Sequence, residues 1–196
     1  MGIEFLPEYI LTNYEVHEWK HACAILKSDF PSEWNDLLEL LLNLRLKKSW
    51  IVAQGGSKSQ VSKSIDSFLY ERQWIEKEFD TAVMVDEELT ESPTHKVDCY
   101  KNHIALEIEW NNKDPFFDRD LNNFRLLFDL RAISVGIIIT RCDHLQGVFK
   151  GIGRGSSFGN STTHMSKLLP RIEGGSGGGC PILVIGIKKN LIDESC

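Results

Sequence analysis

Between Asp98 and Glu109 the chain reads DCYKNHIALEIE, one carboxylate followed by two more that a single residue separates. The stretch HKVDCY, the turn-like Lys101-Asn102 and then HIALEIEW predict two short strands joined by a tight reversal. Side chains alternate across a strand, so His103, Ala105, Glu107 and Glu109 share one face while Ile104, Leu106, Ile108 and Trp110 share the other. The apolar set is then buried and both carboxylates emerge together. Like charges at that spacing repel in a partly dry cleft, and a divalent cation removes the penalty. Magnesium takes oxygen ligands, and Asp98 on the adjoining strand supplies a third carboxylate. Asp98 and Glu107 are therefore the expected metal ligands. Glu109 is expected to orient or deprotonate an attacking water, and the chemistry is hydrolysis of a phosphodiester.

These residues need a scaffold, and 196 residues of which 42% are hydrophobic can bury one ordinary core, so residues 1–196 are read as a single domain. Residues 31–48 place Trp34, Leu37, Leu38, Leu40, Leu41, Leu42 and Leu44 at helical spacing ahead of Lys47 and Lys48. GGSKSQ reads as a loop whose Lys58 and Ser59 are candidate phosphate contacts, and 61–79 as a second helix with Ile65, Phe68, Leu69 and Ile75 inward. Strands are expected at TAVMVD, HKVDCY and HIALEIEW, a helix at DRDLNNFRLLFDLRA, and a fully buried strand at SVGIIITR. A glycine- and serine-rich loop follows from Gly151 to Thr163, then a helix MSKLLPRIE, a second glycine loop, and a last strand PILVIGI. The order implies an α/β domain with a mixed β-sheet flanked by helices and an N-terminal helical part.

The formal net charge of -6 runs against a nucleic-acid partner, since phosphate contacts use Lys and Arg. The basic residues nevertheless fall in small groups beside Gly or Ser, such as Lys150 with Arg154, so a basic cleft in an acidic surface is expected. The five cysteines are scattered without a C-x-x-C pair and predict buried free thiols rather than disulfides or a zinc site. No apolar run approaches the roughly 20 residues of a membrane span, and no signal peptide is apparent, so a soluble cytoplasmic protein without a membrane partner is expected.

The pattern Asp98, Glu107, Glu109 resembles the D...(D/E)-x-K signature of restriction-type nucleases, with Glu109 at the lysine position as in the Glu-x-Glu and Glu-x-Gln forms. The longer run EIEWNNKDPFFDRDLNNFRLLFDL, with THKVDCYKN before it and SVGIIITR after it, is similar to the type II restriction endonucleases of the BglII, BamHI and BstYI kind. The resemblance covers about residues 70–145 and is carried most specifically by Asn111, Asn112, Asp114, Pro115 and Phe116. It implies a restriction-endonuclease-like core and a homodimer that uses Mg2+, with Mn2+ substituting, to cut both strands of a short palindromic double-stranded DNA site. A site of about six base pairs around GATC is the expectation, within a restriction-modification system that pairs the enzyme with a cognate DNA methyltransferase. It also implies that the main-chain oxygen of Ile108 completes the metal's coordination and that Glu76, on the helix before the strands, contributes another acid.

Asn111 and Asn112 follow the acidic strand directly and are candidate DNA contacts. Arg141, Arg154, Ser156, Ser157, Asn160, Thr162, Thr163 and His164 lie in or beside the long glycine-rich loop, where small residues let backbone approach DNA and hydroxyls and Arg reach phosphates and base edges. Asp118, Arg119, Asn122, Asn123 and Arg125 crowd one helix that is a candidate dimer surface. A competing motif, HEWKH at 17–21, fits the H-E-x-x-H spacing of zinc metalloproteases, with Glu39 as a third ligand. A catalytically inactive DNA-binding protein is the remaining alternative.

Overall fold

The computed structural model describes residues 2–53, 58–91 and 94–193. In chain order the strands are β1 (Tyr14–Trp19), β2 (Leu46–Lys47), β3 (Ile75–Lys77), β4 (Ala82–Val85), β5 (Glu88–Glu91), β6 (Val97–Lys101), β7 (Ile104–Glu109), β8 (Val135–Arg141), β9 (Ile182–Ile187) and β10 (Ile192–Asp193). The α-helices are α1 (Glu8–Asn13), α2 (Ala22–Asp29), α3 (Pro31–Asn43), α4 (Lys48–Val52), α5 (Gln60–Tyr70), α6 (Phe116–Asp129), α7 (Leu145–Gly151) and α8 (Met165–Glu173).

Six strands form one mixed sheet in the order β1-β9-β8-β7-β6-β3. Its centre is parallel, β7 on β8 and β8 on β9, while β1, β6 and β3 add antiparallel edges. The central β8 is VGIIITR, buried along its whole length; β-branched side chains suit a strand covered on both faces. On one face Leu106, Ile108, Ile137, Ile139, Leu183 and Ile185 pack with Leu26, Leu37, Leu41, Ile65 and Leu69 of the N-terminal helices. On the other, Ala105, Ile138 and Val184 pack with Phe117, Leu121, Phe124 and Leu127 of α6 and Met165 and Leu168 of α8. α6 can settle close to the sheet because β8 has Gly136 beneath it, where a Cβ would stand 2.3 Å from Cδ2 of Phe124.

The expected helix–strand order holds, with differences at the element ends. The 61–79 helix stops at Tyr70; Gln73 takes a left-handed φ of 68° and Trp74 dives into the core. Ile75 and Glu76 then belong to the edge strand β3, and Ile75 is exposed rather than inward. α3 ends at Asn43 because Leu44 turns extended and buries itself, leaving Lys47 on a short strand beside β10. TAVMVD forms β4, which pairs with β5 in a separate ribbon exposing Met84 and Leu89. The reversal after β6 lies one residue later than expected, at Asn102 and His103, with φ of 44° and 67° between the paired Lys101 and Ile104. Two successive positive φ values match the twist of a tight hairpin, so His103 is a turn residue and not part of the acidic face.

HEWKH is not helical. His17 lies on β1 beside Glu15, and Lys20 and His21 occupy left-handed turn positions, so no helical turn brings the two imidazoles onto one face. Glu18 instead accepts the main-chain N–H of Cys23 at 3.0 Å, and Glu39 pairs with Arg72 at 2.9 Å. Cys23, Cys99, Cys142 and Cys180 are buried free thiols, as expected; Cys196 lies outside the described residues. No α-helix among the described residues is long and apolar enough to cross a membrane.

Candidate active site

The alternation of β7 is the expected one. Ile104, Leu106 and Ile108 face the N-terminal helices, and Ala105, Glu107 and Glu109 face α6. The carboxylates do not stand in an open cleft, however: Glu107 and Glu109 are each 1% exposed, because the first turns of α6 roof that end of the strand.

Asp98 is tied to β7 twice. Its Oδ2 accepts the N–H of Ile108 at 3.0 Å, and its own N–H donates to Oε2 of Glu107 at 3.3 Å. Oδ1 of Asp98 lies 3.1 Å from Nζ of Lys58, which also bridges to Asp66 on α5 at 2.6 Å. Lys58 thus neutralises the site's first aspartate. Ser59 caps α5, its hydroxyl accepting the N–H of Ser62 at 3.0 Å. The rest of the preceding loop, 54–57, lies outside the described residues.

Glu109 has Asn112 as a donor to Oε2 at 2.9 Å and Nη2 of Arg119 3.5 Å from Oε1. Arg119 in turn donates to Oδ1 of the adjacent Asp120 at 2.8 and 2.9 Å. Asp120 is fully buried, and sequence reasoning passed over it. One nitrogen of His95, one oxygen of Glu107 and one oxygen of Asp120 lie within 4.8 Å of one another. Oε1 of Glu107 and Oδ2 of Asp120 are buried without a hydrogen-bond partner.

Burial and mutual repulsion shape the acidities. Burial first, then Asp120 and Asp98, raise Glu107 well above the ordinary carboxylate range. Burial and then Asp120 push Glu109 up to about 9. Burial pushes Asp120 up to about 6 against the opposing pull of Arg119. Carboxylates that are crowded, dry and short of donors fit a divalent cation, which takes oxygen and imidazole ligands and removes the cost of ionising them.

The other expected site residues are spread more widely. Glu76 is half-exposed on β3 and pairs with Lys96 at 3.2 Å, not with the acidic group. Asn111 has a buried, unpartnered Oδ1, while Asn112 is committed to Glu109. Arg141 is 1% exposed and ties the glycine-rich loop down, Nη2 donating to Oγ1 of Thr162 at 2.8 Å. Burial lowers its pKa to about 10. Thr163 is also buried, and its N–H donates to the carbonyl of Asn112 at 2.9 Å, stitching the loop to the end of β7. Arg154 reaches the carbonyl of Ala53 at 2.8 Å. Ser156 and Asn160 are exposed and Ser157 half-buried. Arg141, Asp143, Gln146, Asn160 and His164 share the lining of a cavity of about 360 Å³, where His164 contacts both Asp143 and Ser166.

On the candidate dimer helix, Asp118 pairs with Arg171 of α8 at 2.7 Å, and Asn123 is buried with Nδ2 donating to the carbonyl of His95 at 3.0 Å. Asp120 and Asn123 follow Phe117 at three-residue steps within the stripe that buries Leu121, Phe124 and Leu127. A carboxylate on the apolar stripe of an amphipathic helix was the signal available in sequence.

No curated protein matches the chain. A family model described as restriction endonuclease BglII/BglIII matches residues 14–187, which run from the first residue of β1 to the last of β9 and so enclose the whole six-stranded sheet. That span is wider than the region of resemblance read from sequence and takes in both faces of the acidic site. With a mixed sheet between helical layers and paired acids on its central strands, the chain belongs to the BglII/BglIII family of restriction endonucleases, type II site-specific deoxyribonucleases.

Proposed function

We propose that the chain cuts both strands of a short palindromic double-stranded DNA site in the presence of Mg2+, with Mn2+ substituting. It acts as a homodimer in the cytoplasm, alongside a methyltransferase that protects the same site. The observation that carries this reading is the buried group of Glu107, Glu109 and Asp120 beside Asp98, in which two carboxylate oxygens have no partner. Asp98 and Glu107, with the main-chain oxygen of Ile108, would hold the cation. When bound, the cation supplies charge stabilisation at the scissile phosphate and acidifies a bound water. Glu109, held by Asn112 and Arg119, orients that water or takes its proton. Ser156, Ser157, Asn160, Thr162 and His164, with Asn111 and Arg154, form the DNA-contacting edge, Arg141 and Thr163 holding the loop in shape from within. A palindrome of about six base pairs around GATC suits a two-fold dimer in which each subunit addresses one strand.

The test is digestion of plasmid and genomic DNA with Mg2+, with Ca2+ in a parallel gel-shift assay. Discrete fragments with Mg2+ and a specific shift without fragments in Ca2+ are expected. Specific shifts without fragments under every divalent metal would overturn the reading in favour of a DNA-binding protein that does not cut.

A further inference from the structure

We infer that His95, Glu107 and Asp120 form a divalent-cation position of their own, on the α6 side of β7, and that its imidazole ligand makes it prefer Mn2+ over Mg2+. The inference deepens the nuclease reading and rests on it for the role of Glu107, but it names two residues from outside the acidic strand and its hairpin.

Glu107 has two carboxylate oxygens with different surroundings. Oε2 accepts from the N–H of Asp98, while Oε1 is buried without a partner. Asp120 repeats the pattern: Oδ1 takes both bonds from Arg119, while Oδ2 is buried without a partner. These two residues and the His95 ring bring one donor atom each to within 4.8 Å of the others. Each comes from a different element. Glu107 is on β7, Asp120 is in the second turn of α6, and His95 lies in the segment leading into β6, where Asn123 of α6 holds its carbonyl at 3.0 Å. A group built only to pack α6 on the sheet would gain from Asn or Leu at position 120, since a buried carboxylate oxygen without a donor is costly. A cation among the three donor atoms would relieve two buried carboxylates that each have an oxygen without a partner.

Asp98 is differently placed. Both of its oxygens are engaged, Oδ2 by the N–H of Ile108 and Oδ1 by Lys58. It borders Glu107 through the backbone, its N–H donating to Oε2. Magnesium favours all-oxygen surroundings, whereas imidazole suits later first-row metals and is accepted by Mn2+. Arg119 occupies only Oδ1 of Asp120, so the guanidinium leaves the inner oxygen free.

The experiment is a Mn2+ titration of the whole DNA-free protein followed by electron paramagnetic resonance, with Mg2+ as competitor. Plasmid cleavage is run in parallel, and melting in chelator confirms that each variant folds. Wild-type protein should bind Mn2+ at least tenfold more tightly than Mg2+. Asp120→Asn and His95→Ala should each weaken Mn2+ binding at least tenfold, and His95→Ala should also narrow the preference over Mg2+. Unchanged Mn2+ affinity in both Asp120→Asn and His95→Ala would overturn the inference even if wild-type protein cuts DNA. Binding that depends on Asp120 and His95 in a protein that leaves plasmid uncut would support the cation position and remove only the nuclease reading.

Discussion

The ammonium of Lys58 stands 3.1 Å from Oδ1 of Asp98, so the first carboxylate of the acidic strand pair carries its own counter-charge. The same ammonium lies 2.6 Å from Asp66, whose side chain is 8% exposed. Lys58→Met should therefore strand a nearly buried aspartate. Because Lys58 itself is one-third exposed, the cost falls between surface and buried pairs, about 2 kcal/mol, read as a lower denaturant midpoint. Adding Asp66→Asn should recover most of it; a double variant as weak as the single one would show that the pair is not the cause.

The acids beneath α6 make stability fall with rising pH in metal-free protein. Their folded pKa values are raised, so folding favours their protonated forms. That contribution is complete below the ordinary carboxylate range and is lost as pH climbs through about 6 for Asp120 and about 9 for Glu109. Melting temperature in chelator should decline from pH 5 to pH 9. Glu107→Gln should flatten the decline, and an equally steep profile in that variant would remove Glu107 from the titrating group.

Glu107→Ala and Asp98→Ala should both abolish cleavage, yet their stabilities should move apart. Loss of Glu107 relieves repulsion among buried acids and leaves the metal-free melt equal or higher. Loss of Asp98 deletes the acceptor of the Ile108 N–H and the partner of Lys58, costing about 1 to 3 kcal/mol. Full cutting by either variant would exclude it from the mechanism. Glu109→Lys restores the commoner signature residue but sets a cation against Arg119 in a buried position, and cleavage should fall by at least tenfold.

Arg141→Ala should loosen the glycine-rich loop. The change removes the donor to Thr162 and Phe158 and a buried side chain lying over Phe149 and Phe158, at a cost of about 2 to 3 kcal/mol. Limited proteolysis should then cut within 151–163 before the core. Asn160→Ala should leave stability unchanged and alter or relax the DNA target. The same targets with uniformly weaker, salt-sensitive binding would assign Asn160 to phosphate contact.

The alternation of β7 and the continuous burial of β8 were legible because they follow from strand period and β-branched composition alone. Asp98, Glu107 and Glu109 were legible as a motif, but their surroundings were not. Lys58 beside Asp98 and Arg119 beside Glu109 are fixed by how α5 and α6 dock, and docking is tertiary, whereas Asn112 reaches Glu109 locally from three residues on. Arg141 was read as a DNA contact because Arg beside a glycine loop is ordinarily exposed; here Phe149 and Phe158 enclose it. The ends of α3 and α5 misled for a local reason, since Leu44 and Trp74 continue the apolar pattern while the backbone has already left the helix.

β1 pairs with β9 over its whole length, Tyr14 opposite Ile187 and Trp19 opposite Ile182. During synthesis β1 is made well before β9 and must wait for it. Until then β8 lacks its outer neighbour, and the helices leading from β1 have no finished surface to close on. Such a long-range closure places a slow step of folding after β9 has been made. A chain that does not yet carry β9 therefore has its acidic hairpin but not the layered frame that aligns it, and the capacity to cut waits for that strand.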